Sequence, residues 1–75
     1  MTLDKMKERK KGKVTSIQGD NHFISRITAI GLTMGSEVMV VQNHKKHPIL
    51  LYCRDTVIAI NREECAKISM EVMDK

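Results

Sequence analysis

The sequence predicts a small all-β domain: five short strands curled into a barrel, with one short helix between the first and second strands. Three observations carry this prediction. The chain has only 75 residues, room for one domain. Its second half holds three short runs dense in β-branched residues, Glu37–Gln42, Ile49–Cys53 and Thr56–Ile60, each of strand length. Only one stretch, with Phe23, Ile24, Ile27 and Ile30, repeats at helical spacing.

Taken in order, Met1–Lys11 is mostly charged and has no sustained apolar periodicity, which predicts a mobile basic arm over residues 1–11 and a folded domain over residues 12–75. Gly12 opens a first strand in which Val14 and Ile17 reach the core, ending by Gly19. Asp20 or Asn21 then caps the helix. Gly31 suits the left-handed position just past a helix end, with Leu32 folding back onto Ile27 as a Schellman cap requires. Gly35 makes a tight turn before the next strand. Arg54-Asp55 leaves room for only a two-residue hairpin turn. After a turn of helix at Arg62–Cys65, the alternation of Ile68, Met70 and Val72 predicts a closing strand. Five short strands without an internal repeat suit a closed or nearly closed barrel, which hides strand edges.

Composition narrows the function. Apolar residues at 41% and charged residues at 29% fit an ordinary globular domain rather than a disordered chain. No apolar run approaches the ~20 residues that cross a bilayer, and the N-terminus lacks a signal-peptide core, so the expected location is the cytoplasm. Cys53 and Cys65 are accordingly expected as free thiols. Of the net charge of +4, residues 1–11 hold +3, which leaves the remainder nearly neutral.

The candidate chemistries are weak. His22, His44, His47, Cys53 and Cys65 are the available soft ligands, but none falls in a ligand-pair spacing, and Lys45 and Lys46 sit between His44 and His47. No metal site or cofactor is expected. Neither cysteine has local context for activation as a nucleophile, and both read as packing residues. The four glycines form no phosphate loop. Arg26 or Arg54 could be lent to a partner's GTPase site, although a surface salt bridge is the simpler use of either. Nucleic-acid binding is disfavoured because the basic residues lack stacking partners: with Phe23 in the core, only Tyr52 remains.

Protein binding has a more direct motive. Ile49–Cys53 is apolar throughout, yet a strand offers one face to the core. If Ile49, Leu51 and Cys53 point inward, Leu50 and Tyr52 point out and, with Met34 and Met39, form an apolar patch of the kind that receives a partner. Burial of the same face under the helix or the N-terminal arm is the competing reading. A barrel edge or the patch also offers a route to self-association.

At this point the chain resembles the ferrous iron transport protein A (FeoA) family. Arg26-Ile27-Thr28-Ala29-Ile30-Gly31-Leu32 looks like the family's helix-and-stop segment, and Gly35 falls where its turn glycine belongs. Ser36–Val41 resembles its following strand. Pro48, Val57–Asn61 and Glu64-Cys65-Ala66-Lys67-Ile68 resemble its hairpin, small-residue turn and closing strand. Met34 stands where the family commonly has proline, and Asp55 where its hairpin often has glycine. The resemblance implies an SH3-like barrel without catalytic activity. It implies a partner, the cytoplasmic GTPase-containing region of a membrane ferrous iron permease of the FeoB type. A similar barrel ends some metal-dependent repressors, so the alternative is a regulatory barrel that contacts a repressor or nucleic acid.

Overall fold

The computed structural model describes residues 1–73. A 3-10 turn at Leu3–Lys5 leads into β1 (Lys11–Ile17), α1 (Asn21–Ala29), β2 (Glu37–Gln42), β3 (Ile49–Cys53), β4 (Thr56–Ile60), α2 (Arg62–Cys65) and β5 (Ile68–Met73). The expected domain end at residue 75 lies outside the described residues. The strands form one antiparallel sheet in the order β4-β3-β2-β1-β5. The register shifts between Val14 and Ser16 against β5, and between Val40 and Gln42 against β3. Such bulges bend and twist a strand, and that is how a small sheet curls around a core. No helix among the described residues is long and apolar enough to cross a membrane.

The expected strands and helix form for the reasons legible in the sequence. Asp20 caps α1 by accepting the Phe23 N–H at 2.9 Å through its side chain. At the other end the Leu32 N–H reaches the Ile27 carbonyl at 3.2 Å and the Gly31 N–H reaches Thr28 at 3.0 Å, the two bonds of a Schellman cap, with Gly31 at φ 110°. Phe23 and Ile27 are buried, Ile24 packs against the core, and Ile30 is largely exposed at the helix end. Gly19, at φ 143°, matters for a second reason: a Cβ there would come within 2.7 Å of the Phe23 ring. The missing side chain lets Phe23 seat, and Lys67 and Arg26 then stack their charges over its ring at 4.9 and 5.7 Å.

The N-terminus corrects the sequence reading. Residues 1–11 are not a mobile arm: Leu3 is fully buried and Met6 is 1% exposed, and both belong to the single apolar core. In a 3-10 turn side chains three apart eclipse, so Leu3 and Met6 lie on one face while the charged residues around them face water. The backbone is held as well. Thr2 bridges Ser69, the Met70 N–H reaches the Met1 carbonyl at 2.7 Å, and the Arg9 N–H reaches Val40 at 2.7 Å. The Asn43 amide donates to the Asp4 and Met6 carbonyls at 3.2 and 2.7 Å. The closing strand also departs in part: Ile68 and Met70 are buried as expected, but Val72 is 37% exposed. Met6 lies beside Gly12, the residue opposite Val72 in the ladder, and so fills core space at that end.

Two outcomes follow from this packing. Leu3→Ala should cost about 2–5 kcal/mol, the usual range for a fully buried leucine, as read by urea unfolding. Lys5→Ala should stay within about 0.5 kcal/mol, because Lys5 is exposed. A neutral Leu3→Ala would restore the mobile arm. At the helix cap, the hydrogen bond from the Phe23 N–H holds the Asp20 carboxyl below its ordinary value of 3.8. A lowered carboxyl pKa contributes stability above the unfolded value and loses it as pH falls through the folded one. Asp20→Asn keeps a capping oxygen without the titration. The melting-temperature advantage of wild type over Asp20→Asn should therefore shrink on acidification from neutral pH to below 3.8.

Candidate functional site

The outward-facing residues of β3 organise the most distinctive surface. Period-2 geometry buries Ile49, Leu51 and Cys53 and turns Leu50 and Tyr52 outward, Leu50 half-buried and Tyr52 41% exposed. The two-residue turn pairs Cys53 with Thr56, which sets Tyr52 opposite Val57. On the other side of β3, Tyr52 faces Met39, and Met39 in turn faces Lys11. One row, Val57, Tyr52, Met39 and Lys11, thus crosses four strands on the outer face of the sheet. Val57 is 58% exposed, so the row ends in an open apolar side chain at the β4 edge.

Next to this row lies a cavity of about 210 Å³, lined by Lys11, Glu37, Val38, Met39, Tyr52, Arg54 and Asp55. Its apolar part is Val38, Met39 and the Tyr52 ring, and its rim carries both signs of charge. Arg54 and Asp55 have φ of 53° and 62°, the pair of left-handed residues a type I′ hairpin turn demands. Asp55 also accepts the Tyr52 hydroxyl at 2.9 Å, which fixes the ring. That hydrogen bond and the nearby carboxylate charge hold the Tyr52 phenol above its ordinary value of 10.0. A cavity of this size, below the roughly 300–1,000 Å³ of small-molecule pockets, suits one or two partner side chains.

Of the four residues expected to form a patch, Met39 and Tyr52 come together as direct cross-strand neighbours. Leu50 shares their face of β3 but sits between Gln42 and Ala59, outside the cavity. Met34, 70% exposed, lies in the turn before β2 and does not line the cavity. Val57 was missed, although a two-residue turn at Arg54-Asp55 already implies its pairing with Tyr52. Lys11 and Glu37 had no local signal, because the pairing of β1 with β2 brings them to the rim.

The other candidate groups have structural surroundings. Arg26 is paired with Glu64, tying α1 to α2, while Arg54 forms no ion pair among the described residues. Cys53 and Cys65 are free and buried. Cys65 lies against the Ile60 carbonyl at 3.8 Å, and burial pushes its thiol up to about 12, which makes it a packing group at neutral pH. His44 contacts Glu8 at 3.1 Å. Among the described residues no three of the His, Cys, Asp and Glu side chains gather as a metal-ligand set.

Comparison with known proteins matches this architecture to one family. No curated protein matches the chain. Residues 1–72 match the family model of the FeoA domain. The crystal structure of an iron uptake regulatory protein, FeoA, superposes with a TM-score of 0.93 at 23% identity, covering 97% of each chain. The zinc complex of Stenotrophomonas maltophilia FeoA, described as a prokaryotic SH3-domain protein, superposes with a TM-score of 0.81 at 22% identity over 95% of this chain and 89% of that one. A manganese-dependent transcriptional repressor with manganese bound contains the same fold, with a TM-score of 0.90 at 14% identity, over 97% of this chain and 36% of its own. The strands are those of an SH3-like barrel, and the chain belongs to the FeoA family, that of ferrous iron transport protein A.

Proposed function

We propose that the protein is a non-catalytic accessory of ferrous iron uptake. It works in the cytoplasm and binds the GTPase-containing region of a membrane ferrous iron permease of the FeoB type, modulating its activity or assembly. The observation that carries the reading is the outward row of Val57, Tyr52 and Met39 beside a side-chain-sized cavity. Such a concave apolar spot with a charged rim has the anatomy of a protein interface, an apolar centre within a polar margin. Leu50 extends the contact along β3, and Met34 supplies a second apolar contact from its turn. Arg54, on the rim, is the arginine placed to reach a partner's phosphates, whereas Arg26 is engaged with Glu64. Likeness to the repressor supports a second reading, a regulatory barrel that contacts a repressor or nucleic acid.

The test is binding of the full chain to the purified GTPase region and to the intact permease. Tyr52→Ala should weaken binding roughly 30-fold or more, as loss of a central aromatic anchor does. Leu50→Asp should also weaken it, with the melting temperatures of both variants confirming that they stay folded. Affinity should change little with salt, whereas phosphate-driven binding to nucleic acid falls steeply. Failure to bind either form of the permease would overturn the permease reading.

A further inference from the structure

The N-terminal segment builds a second cavity that shares no residue with the first. It measures about 240 Å³ and is lined by Met1, Lys5, Met6, Lys7, Lys10 and Val72. Its chemistry is one-sided. Met1 and Val72, 64% and 37% exposed, supply most of the apolar surface over the buried Met6, and the three lysines, all exposed, supply the rim. Gly12 lies behind Met6: a Cβ there would come within 3.1 Å of the Met6 Cε, so the missing side chain lets the methionine lie against the sheet.

The segment's own acids do not neutralise this rim. Glu8 is turned to the β2–β3 connection, where it accepts the Asn43 N–H at 2.9 Å and faces His44 at 3.1 Å. Asp4 accepts the Thr2 hydroxyl. Among the described residues none of Lys5, Lys7 and Lys10 forms an ion pair, and no carboxylate lines the cavity.

We propose that this cavity is a docking site for an acidic peptide segment that inserts one apolar side chain between Met1 and Val72, above the buried Met6, while its carboxylates meet Lys5, Lys7 and Lys10. Charge complementarity selects an acidic partner, and the volume selects a single side chain, since small-molecule pockets are larger. Methionines are flexible and polarisable, which suits them to an inserted leucine or methionine. Nucleic acid fits less well, because no aromatic side chain lines the cavity for a base to stack on. A membrane surface fits less well too, because it calls for a broad apolar face, and here a small cavity is ringed by charge. The proposal stands apart from the permease reading, whose surface lies at Met39 and Tyr52.

The test uses the full chain and a fluorescent synthetic peptide in which glutamates and aspartates flank one leucine. Saturable binding is expected, with chemical-shift changes at the Met6 and Val72 methyl groups. Alanine in place of the peptide's leucine should weaken binding roughly tenfold or more, the effect of losing about three buried carbons. Lys7→Glu with Lys10→Glu should weaken it by about tenfold, and Lys45→Glu with Lys46→Glu, at a basic loop outside the cavity, should change it little. Tyr52→Ala should leave it intact, which separates this site from the permease surface. Absence of saturable binding overturns the proposal. So does equal loss from the Lys45 and Lys46 pair, shifts centred elsewhere, or tighter binding to phosphatidylglycerol vesicles or a single-stranded oligonucleotide than to the peptide.

Discussion

Among the described residues the five strands do not close a hydrogen-bonded ring, because β4 and β5, the two edges of the sheet, pair with β3 and β1 and not with each other. A core open along that seam would admit water to Ile60, Cys65 and Ile68, all of which are buried. The chain fills the seam with short pieces. α2 connects the two edge strands, and the 3-10 turn at Leu3–Lys5 packs against both α2 and β5. Leu3 and Met6 complete the apolar core from there. A chain of this length has little surface to bury, so removing one plug residue takes away a large share of the domain's net stability.

That arrangement also explains how the two outer surfaces arise. The β5 edge is partly occupied by the N-terminal backbone, through Thr2 with Ser69 and Met1 with Met70. The β4 edge has no such cover among the described residues and ends in exposed Val57. The row from Val57 to Lys11 therefore starts at the uncovered β4 edge, and the segment that seals the β5 edge carries the lysines. The first eleven residues supply both core and charge: the turn sets Leu3 and Met6 on one buried face with Lys5 exposed, and Lys7, Arg9, Lys10 and Lys11 beyond it are exposed as well.

Membership of the FeoA family constrains the role more than the fold does. The SH3-like barrel also occurs within a metal-dependent repressor, so architecture alone does not choose between a transport accessory and a regulatory module. A tyrosine held by Asp55 is a rigid, amphipathic anchor of the kind that dominates protein interfaces, and it costs little entropy to place.

By itself the sequence determined everything that depends on neighbours along the chain. The helix from its cap at Asp20 or Asn21 to its stop at Gly31, the two-residue hairpin at Arg54-Asp55, and the outward direction of Leu50 and Tyr52 are local matters of hydrogen bonding, φ and period-2 geometry. The pairing of Tyr52 with Val57 was within reach of the same reasoning. Tertiary structure decided the rest. Leu3 and Met6 look like stray apolar residues in a charged run, and only a seam between strands distant in sequence makes them core. Met39 becomes a neighbour of Tyr52, and Lys11 and Glu37 reach the cavity rim, only once β1, β2 and β3 pair in a definite register. Val72 keeps its alternation in sequence but lies partly exposed, with Met6 beside its ladder partner Gly12. Local patterns specify which way a side chain points on its own element; which residues it meets there depends on contacts between segments far apart in the chain.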